Sequence, residues 1–133
     1  TGIRPRPGCV ELIKQCRDRD IKVAFLTTTT PHTLAIIKAG LDESIDFNDF
    51  KLITNMDAVD QLKPDPEVFL YALRTLGVNA NQAIAIEDTR TNQQAAIQAG
   101  IRCYLFPGEY ATLSPKVSAE EDIIIDDLRA LTL

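Results

Sequence analysis

Short apolar runs alternate with amphipathic stretches along the whole chain, and this alternation predicts strands separated by helices. Residues 21–26 form a nearly unbroken apolar run, the pattern of a strand covered on both faces. Similar runs recur at 84–86, 102–106 and 123–125, with a shorter one at 52–54. A first helix opens at Pro7-Gly8, with Val10, Ile13 and Cys16 on one face and Lys14 and Arg17 on another. A second is capped by Thr30, carries Pro31 in its first turn and runs to Gly40. A third follows the break Lys63-Pro64-Asp65-Pro66, with Asp65 as cap and Phe69, Ala72, Leu73 and Leu76 turned inward. A fourth covers residues 91–100. Gly40, Gly77 and Gly100 each precede an apolar residue (Leu41, Val78, Ile101), the sequence form of a left-handed C-terminal cap. Between Leu41 and Lys63 the pattern weakens to loop with a helical turn around Ala58. Residues 107–121 read as a polar loop, the end of the chain as a helical turn, and Thr1 to Arg6 as the tail of a linker. The expected fold is α/β: a three-layer, Rossmann-like, mostly parallel sheet with helices on both faces, in one domain over residues 1–133.

Composition narrows the partners. A chain of 133 residues suits one domain with a real core. A net charge of -5, a pI of about 4.8 and no basic cluster argue against nucleic acid or an anionic membrane and favour a small soluble ligand. No apolar run approaches the roughly 20 residues that cross a bilayer, and no signal peptide is recognised, so a cytoplasmic location is expected. Cys9, Cys16 and Cys103 are odd in number and lack metal-ligand spacing, which suits a reducing compartment and buried, inert thiols. His32, the one histidine, falls in a helix's first turn and reads as exposed surface.

Candidate chemistry gathers at strand ends. The run at 84–86 stops at Glu87-Asp88, at the sheet edge where open α/β folds bind ligands. Adjacent carboxylates repel unless a cation or a proton separates them, and magnesium, which takes oxygen ligands, suits the place. Thr27, heading the run Thr27 to Thr30, closes another strand, and Lys63 stands just before the third helix. A hydroxyl and backbone N–H groups at a helix start, with a lysine, make a phosphate site. The set suits phosphoryl transfer, in which a protein mainly positions groups and neutralises charge.

The order of a strand ending in Thr27, then Lys63-Pro64, then Glu87-Asp88-Thr89 with Gln94-Ala95-Ala96-Ile97-Gln98-Ala99-Gly100 behind it, resembles the haloacid-dehalogenase-like hydrolases from about Arg6 onward. The beta-phosphoglucomutase-like branch fits best, and the threonine run looks like that of Calvin-cycle-associated sugar-bisphosphate phosphatases. The resemblance implies that Thr27 and the Thr28 backbone contact a phosphoryl group, that Lys63 neutralises it together with the nucleophile, and that Asp88 ligates Mg2+, with Glu87 helping directly or through water. It implies a magnesium-dependent phosphatase or phosphomutase acting on a small phosphorylated metabolite such as a sugar phosphate. Asn92 stands where relatives often carry glycine and would tolerate a turn conformation. Arg90 reads as solvated.

One departure matters. The family's nucleophile is the first aspartate of an Asp-x-Asp-Gly motif after an N-terminal strand, and this sequence has no such motif. Asp18-Arg19-Asp20 has the spacing but sits at a helix end, and Asp126-Asp127 follows a strand at the wrong end of the chain without the glycine. The missing strand would lie mid-sheet, between those ending at Thr27 and Glu87. Its loss would leave unpaired backbone groups costing about 1–3 kcal/mol each when buried. The expectation is therefore a C-terminal portion of a longer protein, whose N-terminal segment and helical cap domain supply the nucleophile and select substrate. A rival reading is a non-catalytic module of the same fold that binds a phosphorylated ligand or a partner. A phosphorelay receiver is disfavoured, because its acidic pair precedes the threonine and lysine.

Overall fold

The computed structural model describes residues 8–107 and the backbone of Ile123–Ile124. These divide into two compact units, one ending at Asp60 and the other beginning at Gln61.

In the first unit, α1 (Cys9–Asp18) buries Ile13 and Cys16. Val10, expected on the same face, is 40% exposed; it sits in the first turn at the rim of the apolar stripe. The chain leaves α1 through Asp20 at φ 57°, a left-handed position that aspartate tolerates, and Ile21 N–H closes the turn onto the Cys16 carbonyl at 2.8 Å. The apolar run that follows yields a shorter strand than expected. Among the described residues, β1 (Ala24–Phe25) pairs in parallel with β2 (Leu52–Ile53) alone, Ala24 opposite Leu52 and Phe25 opposite Ile53. Its residues are half-buried rather than covered on both faces, and Ile21 is exposed, because a strand extends only as far as its partner does. α2 (Pro31–Leu41) starts as expected: Thr30 Oγ1 accepts from Thr33 N–H at 3.1 Å and Pro31 occupies the first turn.

α2 does not end at Gly40. The helix continues through it to Leu41, whose carbonyl then accepts from the N–H groups of Ser44 (3.0 Å) and Ile45 (2.9 Å). The apolar residue that pins this turn is Ile45, 7% exposed, rather than Leu41. A 3₁₀ turn, Met56–Ala58, follows β2 where a helical turn was expected.

In the second unit, α3 (Glu67–Leu76) buries Val68, Phe69 and Ala72, while Leu73 and Leu76 are half-buried. The helix face is thus rotated one position toward Val68. Pro66 takes the cap position, and the Asp65 carboxylate one residue earlier accepts from Glu67 N–H at 3.0 Å. β3 (Ile84–Glu87), α4 (Arg90–Gln98) and β4 (Arg102–Leu105) form a parallel unit, with Ala85 opposite Cys103 and Glu87 opposite Leu105. The backbone of β5 (Ile123–Ile124) adds on the far side of β4, giving the order β3–β4–β5. Val68, Ala95, Ala96 and Leu105 form the best-buried core, with Phe106 and Cys103 beside them. The expected loop at 107–121, the terminal helical turn, the linker tail and Asp126-Asp127 lie outside the described residues.

Gly77 (φ 69°) and Gly100 (φ 83°) adopt the left-handed caps expected of them. A Cβ at Gly77 would meet nothing within 4 Å, so alanine there is penalised by backbone conformation alone. Gly77→Ala is expected to lower unfolding stability by about 1–2 kcal/mol. Gly40→Ala, in an exposed helical position, is expected to raise it by about 0.5–1 kcal/mol. Urea unfolding of both variants checks this. Equal signs would refute the contrast between cap and helix interior.

Candidate active site

Unit two assembles its polar site from two buried anchors. α3 is fixed by Val68, Phe69 and Ala72, and it holds the turn in front of it, in which Asp65 N–H donates to the Leu62 carbonyl at 3.0 Å. Lys63 stands in that turn, joined to Pro64 by a cis peptide bond. On the sheet side, Glu87 ends β3, and its carbonyl accepts from Phe106 N–H at 2.7 Å, which extends the ladder one residue past β4. Lys63 Nζ donates to Glu87 Oε2 at 2.8 Å, with side-chain exposures of 7% and 10%. The ammonium also lies 5.4 Å from the Phe69 ring centroid, in reach of a cation–π attraction.

Burial pushes the Glu87 carboxyl above the usual range; the Lys63 charge and hydrogen bond pull it back, and the Asp88 charge adds to the upward push. The cation that lies against Glu87 is thus a lysine. Asp88 is exposed, and its Oδ1 accepts a long hydrogen bond from Asn92 Nδ2 at 3.4 Å. The adjacent carboxylates occupy different environments, as neighbouring positions at a strand end do when side chains alternate faces. Asp88 also stands just before α4, where Thr89 Oγ1 accepts from Asn92 N–H at 3.1 Å and the helix dipole favours a negative charge. Among the described residues no group of three histidine, cysteine, aspartate or glutamate side chains could hold a metal by itself. Magnesium characteristically takes one or two protein carboxylates, with waters and substrate phosphate completing its shell, so Asp88 alone is chemically adequate as a protein ligand.

Asn92 is helical rather than in a turn. Arg90 is half-buried and not merely solvated: its Nη1 donates to Gln93 Oε1 at 3.2 Å. Gln93 itself is 3% exposed, and its Nε2 has no hydrogen-bond partner among the described residues. The thiol of Cys103 is pushed up to about 12, first by burial and then by the Glu87 charge, and burial also raises Cys16, so both are inert packing thiols. His32 is exposed. Asp18 and Asp20 sit at the end of α1, as the sequence implied.

Thr27 and Thr28 belong to unit one. Thr27 is 9% exposed, and its Oγ1 is engaged with the neighbouring turn, accepting from Thr29 N–H at 3.1 Å and bonding Thr29 Oγ1 at 3.0 Å. To meet a phosphoryl group this hydroxyl must redirect its proton from Thr29. Sequence reasoning missed Thr54, which is 2% exposed and follows β2 directly. Its Oγ1 accepts from Thr27 N–H at 3.0 Å and donates to the Thr27 carbonyl at 2.8 Å. The available signal was a second hydroxyl at the end of a second strand.

Parallel strands linked through helices define a Rossmann-like α/β protein, and one strand end carries a buried lysine–carboxylate pair beside an exposed aspartate. A family model for haloacid dehalogenase-like hydrolases matches residues 1–100, and the chain belongs to that family. It is 36% identical over 106 residues to Protein CbbY of Cereibacter sphaeroides, covering 79% of this chain and 46% of that protein. Phosphoglycolate phosphatase of Pseudomonas putida is 30% identical over 125 residues, covering 94% and 45%. The crystal structure of a CbbY mutant from Rhodobacter sphaeroides in complex with xylulose-(1,5)bisphosphate superposes with a TM-score of 0.80 at 30% identity, covering 96% of this chain and 59% of that one. The chain therefore spans about half the length of the curated relatives it matches.

Proposed function

We propose that this chain is the C-terminal portion of the core domain of a magnesium-dependent phosphatase or phosphomutase acting on a small phosphorylated metabolite, a sugar phosphate by preference. The observation that carries the reading is the buried Lys63–Glu87 pair beside the exposed Asp88 at the end of β3. Glu87 and Phe69 hold the Lys63 ammonium in place, so it would meet a phosphoryl group at little reorganisation cost. Asp88 would hold Mg2+, with Glu87 assisting through water; the ion, when bound, neutralises phosphate charge. The Thr27 hydroxyl and the Thr28 N–H would bind phosphoryl oxygens. The nucleophile is an aspartate outside this chain, on an N-terminal segment that a helical cap domain accompanies, and its carboxylate would carry the phosphoryl group before hydrolysis or transfer.

The substrate class is supported by relatives named for phosphoglycolate and crystallised with a sugar bisphosphate. The net charge of -5 speaks against nucleic acid as partner. No helix among the described residues is long and apolar enough to cross a membrane, and Cys16 and Cys103 are buried free thiols, which suits the cytoplasm.

The test is phosphate release by the full-length protein from a panel of sugar mono- and bisphosphates and phosphoglycolate, with magnesium or with EDTA, followed by product analysis for phosphoryl transfer. Turnover that requires magnesium is expected. Absence of both release and transfer across the panel would leave a non-catalytic phospho-ligand module as the better description.

A further inference from the structure

The turn that follows β1 is held from outside by the turn that follows β2, and most of the grip comes from one side chain. Thr54 N–H donates to the Phe25 carbonyl at 3.0 Å, continuing the ladder. Thr54 Oγ1 then clamps the Thr27 peptide groups from both sides, accepting from the N–H at 3.0 Å and donating to the carbonyl at 2.8 Å. Two residues on, Met56 N–H donates to the Thr29 carbonyl at 2.7 Å. The clamp is buried: Thr54 is 2% and Thr27 9% exposed. A hydroxyl with one donor and two acceptor sites that spends both kinds on one residue, out of water, fixes that residue's backbone rather than merely filling space.

We propose that Thr54 is a positioning residue for phosphoryl binding. By locking both peptide groups of Thr27, it sets the direction of the Thr27 hydroxyl and of the Thr28 N–H that leads on from the clamped carbonyl. This rests on the reading of Thr27 and Thr28 as phosphoryl-binding groups. Valine in place of Thr54 keeps the shape and removes the clamp, leaving the buried Thr27 N–H unpaired and free to relax the turn. Serine keeps the clamp.

The experiment compares wild type, Thr54→Val and Thr54→Ser in the full-length protein, using p-nitrophenyl phosphate as substrate and inorganic phosphate as inhibitor. In Thr54→Val, KM and the phosphate inhibition constant are expected to rise together by about tenfold, with kcat changed far less. Thr54→Ser is expected to stay within about twofold of wild type on both constants. A purely structural role would lower the active fraction, and so kcat, at unchanged KM; because KM reports on the folded molecules only, partial misfolding of the valine variant does not hide the answer. Unchanged KM in Thr54→Val, or a serine variant as impaired as valine, overturns the proposal. If wild type shows neither turnover nor phosphate inhibition, the phosphoryl-binding reading falls and this inference with it. If wild type binds phosphate and Thr54→Val binds it equally, only the role of Thr54 is lost.

Discussion

Lys63→Met is expected to destabilise the protein by about 3–5 kcal/mol and to lower phosphoryl-transfer turnover by about 10²–10³-fold. The stability loss follows from burial. Glu87 is 10% exposed in its side chain, and Lys63 Nζ at 2.8 Å is what compensates its charge. Without the lysine, the Glu87 carboxylate is left buried beside the Asp88 charge, and the desolvation penalty is no longer offset. The sign with pH can be worked out. Burial already raises the Glu87 carboxyl above its ordinary value, and both influences that lower it come from Lys63, so the variant raises it further. A carboxyl with a raised folded pKa contributes stability that is present below its unfolded value and is lost as pH rises through the folded one. The deficit of Lys63→Met relative to wild type should therefore be small at acidic pH and grow as pH increases above the usual carboxylate range. Urea unfolding across a pH series measures it. A deficit that shrinks with rising pH would contradict this account. The double variant Lys63→Met with Glu87→Leu separates the two losses: with no charge left buried, stability should recover substantially while turnover stays low. Recovery of turnover would remove Lys63 from the catalytic set.

What could be read from the sequence, and what could not, divides by distance along the chain. The Thr30 cap and the left-handed glycines at 77 and 100 are decided within a few residues, and the structure has them where the pattern put them. Gly40 carries the same local signature, yet α2 runs through it, because the choice is made by Ile45, which buries itself five positions later. Residues 21–23 are apolar enough for a strand, but strand length is set by pairing, and β1 meets β2 over two residues only. Val10 and Val68 lie at the margins of their helical stripes, where periodicity cannot say which neighbour will cover them. Within the site, local pattern alone does not separate Glu87 from Asp88; it is the family resemblance that gives Asp88 the metal and Glu87 a supporting part. They are split by Lys63, 24 positions away, which takes Glu87 into a buried pair and leaves Asp88 exposed. What Thr54 binds was hidden for the same reason: its two bonds reach back 27 positions. Local signals located the strand ends, and long-range contacts decided which side chains there are buried and paired and which are exposed.

Asp88→Asn should give the opposite balance, a catalytic loss of about 10²–10³-fold with little change in stability. Asp88 is exposed, and its contact with Asn92 is a 3.4 Å hydrogen bond that an amide oxygen can also accept. What the substitution removes from the fold is a charge near the start of α4, worth about 0.3–1 kcal/mol at an exposed site. A thermal midpoint lowered by no more than about 4 °C is therefore expected. Activity should respond differently, because asparagine keeps the shape of the side chain but supplies a neutral oxygen where a hard cation needs a charged one. The magnesium concentration for half-maximal phosphate release should rise, and added magnesium should restore only part of the turnover. If the activity of Asp88→Asn matches wild type, or if wild-type activity is indifferent to EDTA, Asp88 does not hold the metal. Set beside Lys63→Met, the pair tests the division seen in the structure. On this reading the buried carboxylate–lysine contact would serve the fold as well as the chemistry, whereas the exposed carboxylate next to it would contribute only its charge at the helix start to the fold and keep that charge for an ion.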